Sequence, residues 1–145
     1  MSLIPSVESF IKANIYNSFS KEGEEPKYKS SVAIIYNSKG EILLGKSLSD
    51  DDRNDKWCFI GGGIDKGEKA SEAAVRETKE EAGIEISIVK NLGTLISSKP
   101  SVCFFECKYI KGDINFNHEY SDMKWFKSTP KDLYEPNKSF IKWKK

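Results

Sequence analysis

Hydrophobic and polar residues alternate along several short stretches of the chain, and this alternation predicts β-strands. The predicted strands are Ser31–Tyr36, Glu41–Gly45, Ile84–Lys90, Leu92–Ser97, Ser101–Ile110 and Met123–Phe126. The first two are separated by Asn37–Gly40, whose composition is typical of a hairpin turn. In Ser101–Ile110, every second residue falls on the same face, which places Cys103, Phe105 and Cys107 together with Tyr109.

Apolar residues recur at three- and four-residue steps in two further stretches, which predicts amphipathic helices. One helix is expected at residues 5–19, as an extension in front of the strands. The other is expected from about Lys69 to Ala82, where Gly83 follows as a typical C-cap. Thr129–Leu133 predicts a helical turn, and the polar segment Ser20–Lys29 predicts a linker. The pattern indicates a mixed α/β fold with residues 1–145 forming one domain.

Composition excludes several classes of protein. The chain has 145 residues, and 23 Lys and Arg against 22 Asp and Glu give a net charge of +1. This balance argues against a dedicated nucleic-acid binder, and the aromatic content argues against disorder. Three cysteines and the single His118 argue against a zinc site or a histidine-based triad. We expect reduced thiols and a cytoplasmic protein with no membrane segment and no secretory leader.

The second helix concentrates acidic side chains on one side. At about 100° per residue, Glu77, Glu80 and Glu81 share that side, and Arg76 can reach them or the preceding loop. An adjacent apolar stripe is expected to pack on the sheet and comprises Ser71, Ala74, Val75, Thr78 and Ala82. Clustered carboxylates repel one another unless a cation binds, and oxygen ligands suit Mg²⁺ or Mn²⁺. The alternative is an acidic helix face that is merely solvated.

The spacing of these residues with the preceding glycines is specific. It resembles the signature of the Nudix hydrolase family, whose positions are filled in order by Gly62, Glu68, Arg76, Glu77, Glu80, Glu81, Gly83 and Ile84. Thr78 departs from the pattern at a position that is usually aliphatic. The preceding Trp57–Gly61 resembles the stretch that leads into the family signature, with Ile60 where proline is common.

The resemblance implies an α/β/α sandwich with a mixed sheet and a catalytic loop–helix–loop. It also implies Mg²⁺-dependent hydrolysis of a nucleoside diphosphate linked to another moiety. The implied metal ligands are Glu77, Glu80, Glu81 and the Gly61 carbonyl. Gly62, Glu68 and Arg76 would support the site, with Arg76 pairing with Glu68 and orienting the glutamates.

The general base is predicted among three glutamates. Glu77 and Glu81 lie within the signature, whereas some family members use a glutamate in the loop before a strand that carries a late tryptophan. Glu119, six residues before Trp125, occupies a comparable place, with Asp122 as a nearby rival. The alternative for Glu119 is an exposed loop acid with no catalytic part.

Aromatic residues near the signature are candidates for contacting a nucleobase. Trp57 and Phe59 are the predicted substrate-binding residues, since aromatic faces stack on any base, and Tyr36 is a weaker candidate. The alternative for all three is packing in the core. The acidic run Asp50–Asp52 is interpreted as a solvated loop rather than a metal site.

The family resemblance also bears on the substrate. Pro100, sixteen residues past Ile84, matches a position associated with ADP-ribose hydrolysis, whereas Val102 stands where dinucleoside polyphosphate hydrolases tend to carry tyrosine. We expect an ADP-ribose-type small molecule. A nucleoside triphosphatase, an RNA-cap-type enzyme using the basic tail Lys138–Lys145 and a non-enzymatic nucleotide sensor are the alternatives. The helix at residues 5–19 could cover the sheet or contribute to a homodimer.

Overall fold

The computed structural model describes residues 28–94 and 100–134, which form seven strands and one helix. The strands are β1 (Ser30–Tyr36), β2 (Ile42–Ser47), β3 (Trp57–Cys58), β4 (Ile60–Gly63), β5 (Glu85–Gly93), β6 (Val102–Lys111) and β7 (Tyr120–Phe126). The helix, α1, spans Ala70–Ala82. The helix expected at residues 5–19 and the basic tail lie outside the described residues, as does the end of the strand expected at Leu92–Ser97.

The strands form one mixed sheet around β1. This strand pairs in parallel with β6 from Ser30 opposite Val102 to Tyr36 opposite Lys108. Along its other edge it pairs with β4 in antiparallel register and meets β2 only at its end. Strand β2 also pairs with β3 and β7, and β5 pairs with β6, all antiparallel. The expected mixed sheet is therefore confirmed, and the chain from β3 to β4 crosses from the edge of β2 to that of β1.

Apolar side chains cover both faces of the sheet. Along β1, Ala33 and Ile35 point to the face that carries α1, whereas Ile34 points to the opposite face. Cys103, Phe105 and Cys107 lie together on the helix side, as their alternation predicted. The opposite cluster comprises Ile34, Ile42, Leu44, Trp57, Phe59, Phe104 and Leu133.

The helix is rotated relative to the expected orientation. Val75 is 37% exposed, so its expected place in the buried stripe is wrong. The buried face instead includes Ala73 and Glu81 as well as Ala74, Thr78 and Ala82. Small side chains allow a close approach to the sheet, and the buried glutamate finds a hydrogen-bond donor there. The helix ends at Gly83, whose φ of 75° is the left-handed conformation that favours glycine.

Several element boundaries differ from those expected. Strand β7 begins at Tyr120 rather than Met123, because its pairing with β2 continues to Ser47 opposite Tyr120. The two residues after Tyr120 are exposed, so the apolar pattern did not indicate this extension. Irregular pairing with β6 lets β5 continue through Asn91 to Gly93, so two expected strands are one in the described part. At Thr129–Leu133, where a helical turn was expected, the structure has one hydrogen-bonded turn and no helix. A bond from the Leu133 amide to the Pro130 carbonyl closes it.

The three cysteines are free and buried, in agreement with the expected reduced thiols. Burial raises the pKa of the Cys58 thiol to about 11 and that of Cys107 to about 12. These thiols are therefore protonated and unreactive near neutral pH. Among the described residues, no helix has the length and apolar character needed to cross a membrane.

Candidate active site

Two glycines of β4 allow close contacts, Gly62 with α1 and Gly61 with β1. A β-carbon at Gly62 would collide with the carboxylate of Glu77, and one at Gly61 would come within 2.5 Å of the Ser31 carbonyl oxygen. Ser31 is the register partner of Gly62, so its side chain shares the face of the sheet on which Glu77 lies. The glycine run therefore creates the space that the first glutamate of the cluster occupies.

Arg76 connects the glutamates to the loop before the helix. Its Nε and Nη2 donate to the two carboxylate oxygens of Glu68 at 2.8 and 2.9 Å. Nη1 donates to Glu77 at 3.0 Å and to Glu80 at 3.1 Å, and Nη2 also donates to the Gly63 carbonyl at 3.0 Å. The bidentate pair lowers the pKa of Glu68 to about 2 and raises that of Arg76. The expected pairing of Arg76 with Glu68 is thus present.

Glu81 lies deepest in the cluster. It is 2% exposed, and its Oε1 accepts a hydrogen bond of 2.6 Å from the Tyr120 hydroxyl. Burial raises the pKa of Glu81, and a hydrogen bond with Glu77 raises it further. Glu80 differs, because its side chain is 56% exposed. The three glutamates of the acidic cluster therefore range from fully buried to solvated.

Tyr120 was absent from the candidate residues of the sequence analysis. It lies 39 positions after Glu81 on a different element, and nothing in the local pattern around β7 indicates a partner for a carboxylate. Tyr120 also precedes the strand that was expected at Met123–Phe126, so the periodicity gave no signal for its burial. The packing of α1 on the sheet brings the two side chains together.

The loop before β7 is tied to the end of the helix. The Asn115 amide donates to the Ala82 carbonyl and the Asn117 amide to the Glu81 carbonyl, at 2.9 and 3.0 Å. The Asn117 side chain in turn accepts a bond from the Glu119 amide and donates to Glu119 Oε2. These contacts use carbonyl groups that a helix leaves unpaired at its C-terminal end, and they hold Glu119 near the acidic cluster.

A cleft of about 340 Å³ runs beside this loop. Its lining includes Gly61 and Gly62 together with Glu119 and Tyr120. Asp122, the rival of Glu119, is not among the lining residues, and its Oδ1 accepts from the Met123 amide at 2.8 Å. The structure therefore brings Glu119, rather than Asp122, into the cleft next to the glutamate-bearing helix.

The two aromatic candidates occupy different places. Phe59 lines the cleft, although it is only 5% exposed. The Trp57 indole packs edge-on against Phe126 with ring centroids 4.7 Å apart, and it lies in the core rather than in the cleft lining. Tyr36 is likewise packed against that cluster. For Trp57 and Tyr36, the structure agrees with the alternative of core packing.

The acidic run Asp50–Asp52 is exposed, as expected for a solvated loop, and hydrogen bonds order it as a turn. Asp51 accepts hydrogen bonds from Nε and Nη2 of Arg53, which hold the pKa of Asp51 far below its usual range. Asp52 accepts a bond from the Tyr134 hydroxyl, and the Ser49 hydroxyl donates to Asp51. Arg53 also lines the cleft. The sequence analysis missed this arginine, because its orientation depends on how the turn folds.

The residues present suit a hard divalent cation. Glu77, Glu80 and Glu81 supply oxygen donors, and the buried Ser31 hydroxyl on the same side has no hydrogen-bond partner among the described residues. In residues 28–94 and 100–134, no three acidic, histidine or cysteine side chains already converge as a metal site. Arg76 holds oxygens of Glu77 and Glu80. A cation would relieve the cost of burying Glu81 next to Glu77.

Comparisons with known proteins extend these observations. The family model described as "NUDIX domain" matches residues 27–143. An RNA pyrophosphohydrolase of Wolbachia sp. subsp. Brugia malayi is 32% identical over 108 residues, which cover 71% of this chain and 60% of the relative. The nucleoside triphosphatase NudI of Enterobacter sp. strain 638 is 31% identical over 117 residues, which cover 68% of this chain and 82% of that protein.

Solved structures share the fold. An ADP-ribose pyrophosphatase from Streptococcus suis superposes with a TM-score of 0.61 at 26% identity, covering 77% of this chain and 82% of that one. An Ap4A hydrolase from C. elegans gives a TM-score of 0.55 at 29% identity, and the superposition covers 68% of this chain and 79% of that one. The family match spans most of the chain, and the glutamate-bearing helix with its glycine loop lies within it. The chain belongs to the Nudix hydrolase family.

Proposed function

We propose that this protein is a divalent-cation-dependent pyrophosphohydrolase that cleaves a nucleoside diphosphate linked to another moiety. The observation that carries the proposal is the position of Glu77 and Glu81, held by Arg76 and Tyr120 beside the cleft that Glu119 lines. The activities named for the relatives, which are all hydrolases of phosphoric anhydrides, support the same reaction class.

Glu77, Glu80, Glu81 and the Gly61 carbonyl would hold Mg²⁺, with Mn²⁺ as a substitute. When bound, the cation neutralises charge on the diphosphate and lowers the pKa of a water molecule. Glu119 accepts the proton of the attacking water as the new oxygen–phosphorus bond forms. The bridging oxygen–phosphorus bond breaks at the same centre, and its electron pair leaves with the departing phosphate. Glu77 and Glu81 are the alternative bases within the cluster.

Arg76 has a supporting part in this scheme. Its bidentate pair with Glu68 holds the guanidinium in one orientation, from which Nη1 reaches Glu77 and Glu80. A bidentate geometry leaves little rotational freedom, so the carboxylates are oriented before a substrate arrives. Gly62 contributes space rather than a functional group.

The cleft would hold the nucleoside and phosphate groups. Its walls combine apolar side chains, such as Val32, Phe59 and Phe104, with Arg53 and several hydroxyl groups. Apolar surface suits a nucleobase, and Arg53 supplies positive charge for a phosphate. Phe59 is the predicted aromatic residue that remains in contact with this space.

For the second moiety, we propose an ADP-ribose-type substrate that yields AMP and ribose 5-phosphate. Pro100 supports it through the family resemblance, although the Pro100 carbonyl also accepts a hydrogen bond from Thr94 just before β6. The second candidate is the 5′ end of an RNA, favoured by the similarity to the Wolbachia RNA pyrophosphohydrolase. Because this chain spans 60% of that relative's length, the RNA activity is the weaker inference.

A panel of substrates tests the proposed function. ADP-ribose, a nucleoside triphosphate, Ap4A and a 5′-triphosphorylated RNA are each incubated with Mg²⁺ and the purified protein, and the products are identified by chromatography. We expect AMP and ribose 5-phosphate to accumulate fastest, and both to disappear with Glu81→Gln or with a chelator. Much faster turnover of triphosphates would refute the ADP-ribose assignment. Tight nucleotide binding without turnover of any compound would refute an enzyme and support a sensor.

A further inference from the structure

Tyr120 meets Glu81 in a contact that the fold is built to accommodate. Both side chains are buried, with 9% of Tyr120 and 2% of Glu81 exposed, and their oxygens are 2.6 Å apart. The ring of Tyr120 occupies the place of a side chain on β2. A β-carbon at Gly45 would lie only 2.5 and 2.6 Å from two carbons of the ring. Glycine at position 45 therefore leaves the room that the tyrosine fills.

We propose that Tyr120 is a positioning residue that holds one oxygen of Glu81 and leaves the other for the divalent cation. The proposal rests on the proposed function, because it assigns Glu81 to the cation. A phenol hydroxyl supplies one hydrogen, so it engages Oε1 and leaves Oε2 outside the bond. Burial of the pair removes water as a competing donor, and the carboxylate keeps one orientation.

The position of Tyr120 in the chain adds a second consequence. It directly follows Glu119, and the bond to Glu81 joins the start of β7 to the last turn of α1. Asn117 lies in the loop just before Tyr120, and its amide donates to the backbone carbonyl of Glu81. Glu81 is thus held at both its backbone and its side chain by the segment that carries the predicted general base.

The alternative is that Tyr120 only satisfies a buried carboxylate and stabilises the fold. The two roles differ in their effect on metal binding, because a purely structural contact leaves the affinity of the folded protein for the cation unchanged. Partners that orient a metal ligand contribute about tenfold to hundredfold to affinity. Metal binding in the absence of substrate therefore separates the roles.

The test is Mn²⁺ binding to Tyr120→Phe, measured by the electron paramagnetic resonance signal of free Mn²⁺ without nucleotide. We expect the dissociation constant to rise about tenfold or more. The Mn²⁺ concentration for half-maximal turnover should rise in parallel, with little change in substrate KM. Tyr109→Phe is the control, since it also removes one tyrosine hydroxyl, here from a half-buried ring, and this hydroxyl donates to the Gly112 carbonyl at 2.6 Å rather than to a glutamate. This control should bind Mn²⁺ as the wild type does.

Gly45→Ala provides a second variant that keeps the hydroxyl. Its new methyl group pushes the Tyr120 ring, so we expect weaker Mn²⁺ binding here as well. Urea unfolding of each variant shows which fraction is folded, and affinities are compared for the folded protein. If both variants bind Mn²⁺ as tightly as the wild type, the positioning role is overturned.

The outcomes also separate this proposal from the proposed function. Wild-type turnover with unaltered Mn²⁺ affinity in Tyr120→Phe would overturn the positioning role and leave the enzyme assignment standing. Mn²⁺ binding that weakens in Tyr120→Phe, in a protein that hydrolyses nothing in the panel, would support the positioning role and refute the enzyme assignment.

Discussion

The carboxylate of Glu77 lies against the α-carbon of Gly62, in space that the β-carbon of any other residue would fill. Gly62→Ala must therefore displace Glu77, while the backbone of this strand residue is compatible with alanine. We expect kcat to fall at least tenfold, because a displaced carboxylate no longer lies beside its neighbours in the cluster. Steady-state kinetics under saturating Mg²⁺ measure the change.

Gly63→Ala is the matched control for that variant. A β-carbon at Gly63 meets nothing closer than the Lys29 carbonyl oxygen at 4.0 Å. Its activity should remain within about twofold of the wild type, since substitutions that meet no neighbour have small effects. Equal losses in the two variants would show that the glycine loop acts through backbone freedom rather than through space for Glu77.

The ion pair between Glu68 and Arg76 should make stability depend on pH. The pKa of the Glu68 carboxyl group is lowered from 4.5 to about 2 in the folded protein. The pair therefore stabilises the fold above pH 4.5 and loses that contribution as the pH falls towards 2. Glu68→Gln removes the titrating group. Urea unfolding should give a lower free energy for Glu68→Gln than for the wild type at pH 6, and the difference should narrow below pH 4.5.

Glu85→Gln serves as the comparison for the acid titration. Its carboxylate lies 3.8 and 4.0 Å from two lysines, at longer distances than the pair of Glu68. We expect the unfolding free energy of Glu85→Gln to differ less from that of the wild type than the value for Glu68→Gln does at pH 6. A difference in unfolding free energy between Glu68→Gln and the wild type that stays constant down to pH 2 would contradict the ion pair of Glu68 with Arg76.

Glu119→Gln should reduce turnover by about a hundredfold or more if Glu119 is the general base. The amide keeps the size of the side chain and cannot accept the proton of water. Asp122→Asn is the control, because Asp122 lies outside the cleft lining and should retain near wild-type kcat. A loss of less than tenfold in Glu119→Gln would remove it from this role and leave Glu77 or Glu81.

Arg53→Gln should raise KM about tenfold and change kcat little. Arg53 lines the cleft, and a charge-assisted hydrogen bond to phosphate contributes binding that is the same in the ground and transition states. Arg53→Lys should recover part of the affinity through its charge. Lys56→Gln removes a nearby exposed charge outside the cleft lining and should leave KM unchanged. An unchanged KM in Arg53→Gln would exclude Arg53 from substrate binding.

Thr78→Val should be tolerated. Thr78 is fully buried, and its hydroxyl donates to the Ala74 carbonyl of its own helix at 2.8 Å. Valine has nearly the same shape and leaves that carbonyl in its helical hydrogen bond, so we expect the unfolding free energy to change by less than about 1 kcal/mol. A kcat and an unfolding free energy close to those of the wild type would show that threonine at position 78, where the family usually has an aliphatic residue, affects packing only. A large loss of kcat would show that the hydroxyl supports the site.

Much of the fold followed from periodicity. Alternation in Ser101–Ile110 placed Cys103 and Phe105 on one buried face, because side chains on a strand necessarily alternate. The helix ended at Gly83 as expected, since a left-handed residue there requires no side chain. Its rotation was misjudged because Val75 is apolar but lies outside the contact with the sheet, whereas Glu81 lies inside it.

The sequence by itself determined the reaction class and the acidic cluster. Glu68, Arg76, Glu77 and Glu80 lie within two helical turns or the adjoining loop, where spacing along the chain dictates which side chains meet. Such local relationships can be read from spacing alone.

Only the tertiary structure decided which distant residues lie beside the acidic cluster and the cleft. Tyr120 reaches Glu81 across 39 positions, and Arg53 enters the cleft through a turn that Asp51 closes. Trp57, a predicted substrate-binding residue, packs against Phe126 in the core. These contacts depend on strand pairing and on how the helix rotates against the sheet, which arise from the packing of the whole chain rather than from any one segment.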